Sequence, residues 1–273
     1  MRIIKKKIMA WKYKRELTRR WRNKNDGKPH NLPGPLIVSL TSYPARFVTL
    51  PLTIKCLLSQ SIKPDRVVLW IAHEDRDNLT ADILCLKKYG LEIIYCEDIK
   101  SYKKIIPLLS IGIDSFIVTA DDDAYYWQTW LEDLVVNYSG NNKEILCHRA
   151  HKIRLDDLGQ PLPYDQWVFD TDDNTCSSLI FPTGLGGVLY PPNVFCPDVL
   201  KTDLFMSLCP FGDDIWLYWM TRLNRGKARK VGVKHKFFLW PETQVSSLWN
   251  INRLPDGNDL KINSMIKRYG FPL

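Results

Sequence analysis

The chain has 273 residues, 45% hydrophobic and 25% charged, with 32 Trp, Tyr and Phe, a composition that can bury a full core and excludes a disordered chain. Its formal charge of +8 is uneven: residues 1–30 carry +10 and residues 31–273 carry −2, which excludes a chain-wide nucleic-acid binder. No apolar run reaches the ~18–20 residues that span a bilayer. No secretory signal is expected, and seven scattered cysteines without C-x-x-C spacing read as reduced thiols of a cytosolic protein.

Residues 1–30 read as a basic amphipathic arm. Ile3, Ile4, Ile8, Ala10, Trp11, Leu17 and Trp21 fall within one half of a helical wheel, with Lys and Arg largely opposite. Such a helix suits an anionic membrane surface, and a solvated basic extension or a helix docked on a partner is the alternative. Residues 31–35 (NLPGP) form a linker.

Short apolar runs then alternate with helical patterns. Strands are expected at Leu36–Leu40, Arg66–Ile71, Leu91–Tyr95 and Ser115–Thr119, and helices at Val48–Gln60, Leu79–Tyr89 and Ser101–Ser110. Continuous apolar strands separated by helices predict an α/β fold, a mostly parallel sheet covered by helices on both faces. Ligands of such sheets bind outside the carboxyl ends of the strands. Residues 36–140 therefore read as a nucleotide-binding half. Residues 141–273, richer in short strands and Asp, Pro and Gly, read as an acceptor-binding and catalytic half of the same domain, with one strong helix at Asp213–Leu223.

Two acidic elements carry the chemistry. The fourth strand ends in TADDD (Thr119–Asp123), and three carboxylates there need a counter-charge. A solvated turn is one reading; the other is Mn²⁺ or Mg²⁺ bound together with phosphate oxygens. Strand alternation would put Asp121 and Asp123 on one face and Asp122 on the other. The second element, GDD (Gly212–Asp214), opens the strong helix. One aspartate suits a helix cap, and a second facing a pocket is a candidate general base. Between them, PTGLGG (Pro182–Gly187) allows close backbone approach to a ligand. His148 and Arg149 suit hydrogen bonding to an acceptor, and Trp167 could stack on a sugar.

In order along the chain, LIVSLTSYPARF, PDRVVLWI, DIKSYKKIIP, TADDD, HRAH, FPTGLGGVLYPP and GDDIW resemble the bacterial GT-A-fold glycosyltransferases of polysaccharide (capsule and O-antigen) biosynthesis, over residues 36–235. The resemblance implies a D-x-D metal motif at Asp121 and Asp123, with His235 completing the metal shell around Mn²⁺ or Mg²⁺. It implies that Thr41, Ser42, Tyr43 and Arg46 line the nucleotide pocket, that Asp98 meets the base, and that Lys103 or Lys104 neutralises the diphosphate. Asp121 and Asp122 also face the donor, Gly186 and Gly187 admit the donor sugar, and Asp213 or Asp214 deprotonates the acceptor. The implied reaction is inverting transfer from a nucleotide-diphosphate sugar, a UDP-sugar favoured, to a glycan or lipid-linked glycan. The implied location is cytoplasmic, on the inner face of the cell membrane, which residues 1–30 would contact. No nucleic-acid partner is expected. A sugar nucleotidyltransferase and a non-catalytic, Ca²⁺-dependent carbohydrate-binding module are the alternatives.

Overall fold

The computed structural model describes residues 2–24, 27–233, 235–241 and 257–273. The four expected strands form as β1 (Leu36–Thr41), β2 (Arg66–Ala72), β3 (Leu91–Cys96) and β4 (Phe116–Thr119). Two short pairs lie outside the main sheet: β5 (Ala124–Tyr125) with β11 (Phe238–Leu239), and β7 (Ala150–Lys152) with β8 (Ile180–Pro182). Three later strands, β6 (Glu144–Cys147), β9 (Val188–Tyr190) and β10 (Lys227–Lys230), extend the main sheet to seven in the order β10-β6-β9-β4-β1-β2-β3. All its pairings are parallel except those of β9, which runs antiparallel to both β4 and β6.

The helices are α1 (Arg2–Arg22), α2 (Leu50–Leu57), α3 (Ala81–Leu84), α4 (Ile106–Ser110), α5 (Trp130–Val135), α6 (Thr202–Leu208), α7 (Asp213–Leu223) and α8 (Gly257–Tyr269). Successive strand residues point to opposite sides, which divides the core in two. Val38, Leu40, Leu69 and Val118 pack with α1, α2, α3 and α5; Ile37, Val68, Trp70 and Ile117 pack with α4, α6, α7 and α8. The expected α/β architecture, mostly parallel and covered on both faces, is the one observed.

Two expected helices break. The segment 79–89 is α3 followed by a 3₁₀ turn that ends at Gly90, whose φ of 102° few other residues tolerate. The segment 101–110 begins as a 3₁₀ turn at Lys100–Lys104 and restarts as α4, because Pro107 has no N–H to continue a helix across it. The break leaves the Lys104 carbonyl free to accept a 2.6 Å hydrogen bond from Ser39 Oγ of β1.

The basic arm is part of the core. Ala10 and Leu17 are buried, Tyr13 stacks on Tyr125 at 4.3 Å, and Glu16 accepts a 2.6 Å hydrogen bond from Tyr125 Oη. Buried Arg20 donates to Ser59 Oγ and to the carbonyls of Cys56 and Tyr126. All seven cysteines are free thiols, with Cys56, Cys147 and Cys209 buried.

Candidate active site

Parallel pairing of β1 and β4, with Ser39 opposite Thr119, sends the chain out of both strands at the same sheet edge. There the loop after β1 meets the acidic loop after β4. Ser42 Oγ donates to Asp122 at 2.6 Å, while Arg46 Nη1 lies 2.8 Å from Asp122 Oδ1 and 2.7 Å from Asp123 Oδ2. Burial opposes the Arg46 charge, but Asp122 and Asp123 outweigh it and hold the guanidinium firmly protonated. The alternation expected across Asp121–Asp123 does not occur. Strand β4 stops at Thr119, and in the bend beyond it Asp122 and Asp123 both turn to Arg46.

Asp121 is left differently. Its N–H donates to Tyr126 Oη at 2.7 Å, but its Oδ2 is buried with no hydrogen-bond partner. Burial and the negative charges of Asp123, Asp122 and Asp213 push its carboxyl up to about 7, against the pull of Lys104.

Lys104 joins this loop to the second acidic element. Its Nζ is 2.7 Å from Asp213 Oδ2, and the ammonium is buried. Burial opposes its charge too, yet Asp213 and Asp121 keep it protonated. Asp213 and Asp214 are the first two residues of α7, and the cap position is Gly212, which has no side chain to offer. Neither aspartate is therefore spent at the cap position itself, though Asp214 Oδ1 accepts the next N–H, of Ile215, at 2.9 Å. The helix N-terminus favours their negative charge. Burial raises the Asp213 carboxyl, but Lys104 outweighs it and holds it low; Asp214 is raised by burial and by Asp213 itself.

Of the expected residues, Ser42, Arg46, Asp121, Asp122, Asp123, Lys104, Asp213 and Asp214 thus share one cluster. Sequence reasoning missed Lys261. This α8 residue lies over Gly212, where a Cβ would come within 2.9 Å of Lys261 Cδ; burial lowers its ammonium while Asp214 supports it. Nothing in the plain amphipathic pattern of α8 marks it. Gly184 belongs to the glycine segment but was given no role of its own: a Cβ there would sit 3.4 Å from Lys104 Nζ, so the glycine loop meets the cluster at this residue.

The other expected residues are occupied elsewhere. Thr41 Oγ1 donates to the Trp70 carbonyl at 2.9 Å, whereas Tyr43 borders the cluster itself, beside the Arg46 guanidinium. Asp98 is bonded by Lys100 and Lys103; burial would raise its carboxyl, but these two ammonium groups hold it at about 2. Gly186 and Gly187 have φ of 101° and 98°, and Cβ atoms there would approach Phe237 to 2.6 Å and Trp130 to 2.5 Å. Aromatic packing is what these two glycines accommodate. His148 Nε2 donates to the Trp130 carbonyl at 2.8 Å, and its Nδ1 is buried without a partner. Arg149 donates to Thr183 Oγ1 at 3.0 Å, bracing the glycine loop. Trp167 is a core residue against Phe181 and Tyr164, with Nε1 donating to the Leu162 carbonyl. His235 stacks on Trp127 at 3.7 Å, and among the described residues no three His, Cys, Asp or Glu side chains are grouped to hold a metal by themselves.

No protein-family description matches the chain, and no curated protein does. Several solved structures are similar in shape. One is GalNAc-T7 with UDP, GalNAc and Mn²⁺, at 12% identity and a TM-score of 0.46 over 72% of this chain. This chain spans only 42% of that one. Another is S. aureus TarS 1–349, at 14% identity and 0.45, covering 86% of this chain and 72% of that one. A third is the inositol-1-phosphate CTP transferase from T. maritima, at 10% and 0.36, covering 76% and 86%. With TM-scores below 0.5, these likenesses carry no argument about activity.

Proposed function

We propose that the chain is a GT-A-type, metal-dependent glycosyltransferase that moves a sugar, with inversion, from a nucleotide-diphosphate sugar to a glycan hydroxyl. The observation that carries this reading is the cluster at the carboxyl ends of β1 and β4. There Asp121 keeps an open, buried carboxylate oxygen, while the buried Lys104 ammonium is paired with Asp213 of α7 and feels the charge of Asp121 as well.

A divalent cation fits this donor set. Mn²⁺ and Mg²⁺ take one or two protein carboxylates and complete their shell with substrate phosphate oxygens and water. Asp121, with Asp123 beside it, would hold the ion against the donor diphosphate. Bound there, the ion supplies Lewis-acid stabilisation of the negative charge on the leaving nucleoside diphosphate. Arg46 pairs with both Asp122 and Asp123 and fixes the loop. Lys104 holds Asp213 as an anion, and burial together with that anion raises Asp214, giving a carboxylate suited to accept a proton near neutral pH. In the reaction Asp214 takes the acceptor hydroxyl proton and that oxygen forms the new bond to the anomeric carbon. The bond from that carbon to the diphosphate oxygen breaks, and the electron pair leaves with the nucleoside diphosphate.

A nucleotidyltransferase would need cationic groups free to meet a triphosphate after β1. The one arginine in that loop, Arg46, is committed to Asp122 and Asp123. The acceptor belongs to the same reading as a glycan or lipid-linked glycan of bacterial surface polysaccharide, reached at the inner face of the cell membrane through residues 1–30. No described helix is long and apolar enough to cross a membrane. Incubating the protein with a panel of nucleotide sugars and Mn²⁺ tests the proposal. Release of nucleoside diphosphate, abolished in Asp214→Asn, supports it, and release of pyrophosphate overturns it.

A further inference from the structure

Helix α1 carries ten Lys and Arg against a single Glu, and the fold spends only part of that helix on the core. Ala10, Leu17 and Arg20 are buried, and Tyr13 and Trp21 pack at the edge of the same contact. At about 100° per residue these five occupy one side of the helix. On the opposite side, within a sector of about 80°, lie Ile8, Trp11, Arg15, Arg19 and Arg22. All five are exposed, Trp11 to 62% and Ile8 to 59%. The Arg15 guanidinium rests 5.5 Å from the centre of the Trp11 ring.

We infer that this outward stripe of α1 is a docking surface for an anionic lipid bilayer. The inference deepens the membrane contact named in the proposed function and rests on that part of it alone. Two properties of the stripe point to lipid. The three guanidinium groups match lipid phosphates, and each basic residue near an anionic surface adds to attraction. The apolar pair Ile8 and Trp11 matches the layer just beneath the headgroups, where Trp places its apolar body below and its N–H at the polar boundary. Phosphates of a nucleic acid would meet the charges but leave those apolar side chains in water.

The structure also changes which residues should act. The helical wheel groups Ala10, Leu17 and Trp21 with Trp11, but the first three face the protein. The lipid-facing set is Ile8 and Trp11 with the arginines around them. Because Arg20 and Tyr13 pin the helix to the globule, the stripe is preformed and binding does not require ordering a free arm. A docked bilayer would hold the whole globule in one orientation.

The test is sedimentation of the full chain with vesicles of phosphatidylcholine, with and without phosphatidylglycerol. The expected result is binding to the anionic vesicles alone, weakened by added salt. Replacing Arg15→Gln and Arg19→Gln together lowers affinity roughly 30-fold. Ile8→Ser with Trp11→Ser lowers it about tenfold or more with unfolding temperature unchanged. Leu158→Ser, a still more exposed apolar site elsewhere, leaves binding intact. No binding to anionic vesicles, or binding that survives both double substitutions, overturns the inference. So does self-association or nucleic-acid binding through Trp11 in place of vesicle binding. Sugar transfer plays no part in this readout, so its outcome is independent of the enzymatic reading.

Discussion

Arg20 of α1 donates to the carbonyl oxygen of Tyr126 from both terminal nitrogens at 3.1 Å, and the phenol of the same Tyr126 accepts the Asp121 N–H. The N-terminal helix thus reaches the acidic loop through one residue. Thr53 Oγ1 donates to the Ala124 carbonyl and the Trp240 N–H to the Asp123 carbonyl, so the loop is held from three directions.

Removing that clamp should weaken both the fold and the loop. In Arg20→Ala, the carbonyls of Tyr126 and Cys56 lose a buried cationic donor, a loss of about 2–4 kcal/mol. Urea unfolding measures it, and hydrogen exchange should rise across residues 121–126. A body that detaches from its arm would instead tolerate truncation of residues 1–28, with stability unchanged. The buried Leu17 and Arg20 predict that it does not.

Asp121 should make the metal-free protein less stable at alkaline pH. Its carboxyl is raised to about 7 in the folded state, so the fold binds its proton more tightly than the unfolded chain does. Stability from this group is complete below about pH 4 and is lost as pH rises through about 7, on the order of 4 kcal/mol. Asp121→Asn should therefore be more stable than the parent at pH 8 and closer to it at pH 4. Added Mn²⁺ should raise the parent's unfolding temperature at pH 8 and leave the variant's unchanged.

The glycine loop should separate packing from function. Gly187→Ala forces a side chain into Trp130 at a φ of 98°, and should cost roughly 3 kcal/mol or more. Gly184→Ala adds a methyl beside Lys104 at ordinary contact distance and should change stability by less than about 1 kcal/mol. If Gly184 borders the donor, turnover falls in this variant while the melting curve holds.

Acid should destabilise the protein through two buried histidines. Burial lowers His148 and His151 to about 4, helped at His151 by Arg149. Both are neutral in the fold, so the unfolded chain takes up more protons as pH falls below about 6.5. Each then removes up to roughly 3 kcal/mol by pH 4. His148→Gln should flatten the pH dependence of urea unfolding in that window, and an unchanged slope would count against the buried neutral state.

Much of this was legible in the chain. Apolar runs located β1 to β4 to within a residue or two, and the α7 boundaries were read as they occur, since burial on both faces leaves few other patterns for a parallel strand or its covering helix. The places of TADDD and GDD followed from strand and helix ends. The pairing of the carboxylates did not. Alternation holds only while a strand lasts, and beyond Thr119 the partners are chosen by Arg46, which is 76 residues from Asp122 in sequence. Lys261 was invisible for the same reason, and so was the particular part Gly184 plays in the glycine segment, because each gains meaning from a neighbour distant in the chain. The arm shows the division most plainly. Charge and periodicity determined by themselves that α1 is a basic amphipathic helix. Only tertiary packing decided which side is inner, because a helical wheel ranks side chains by polarity. Arg20, with carbonyl oxygens waiting for it, is more stable inside than Trp11 is.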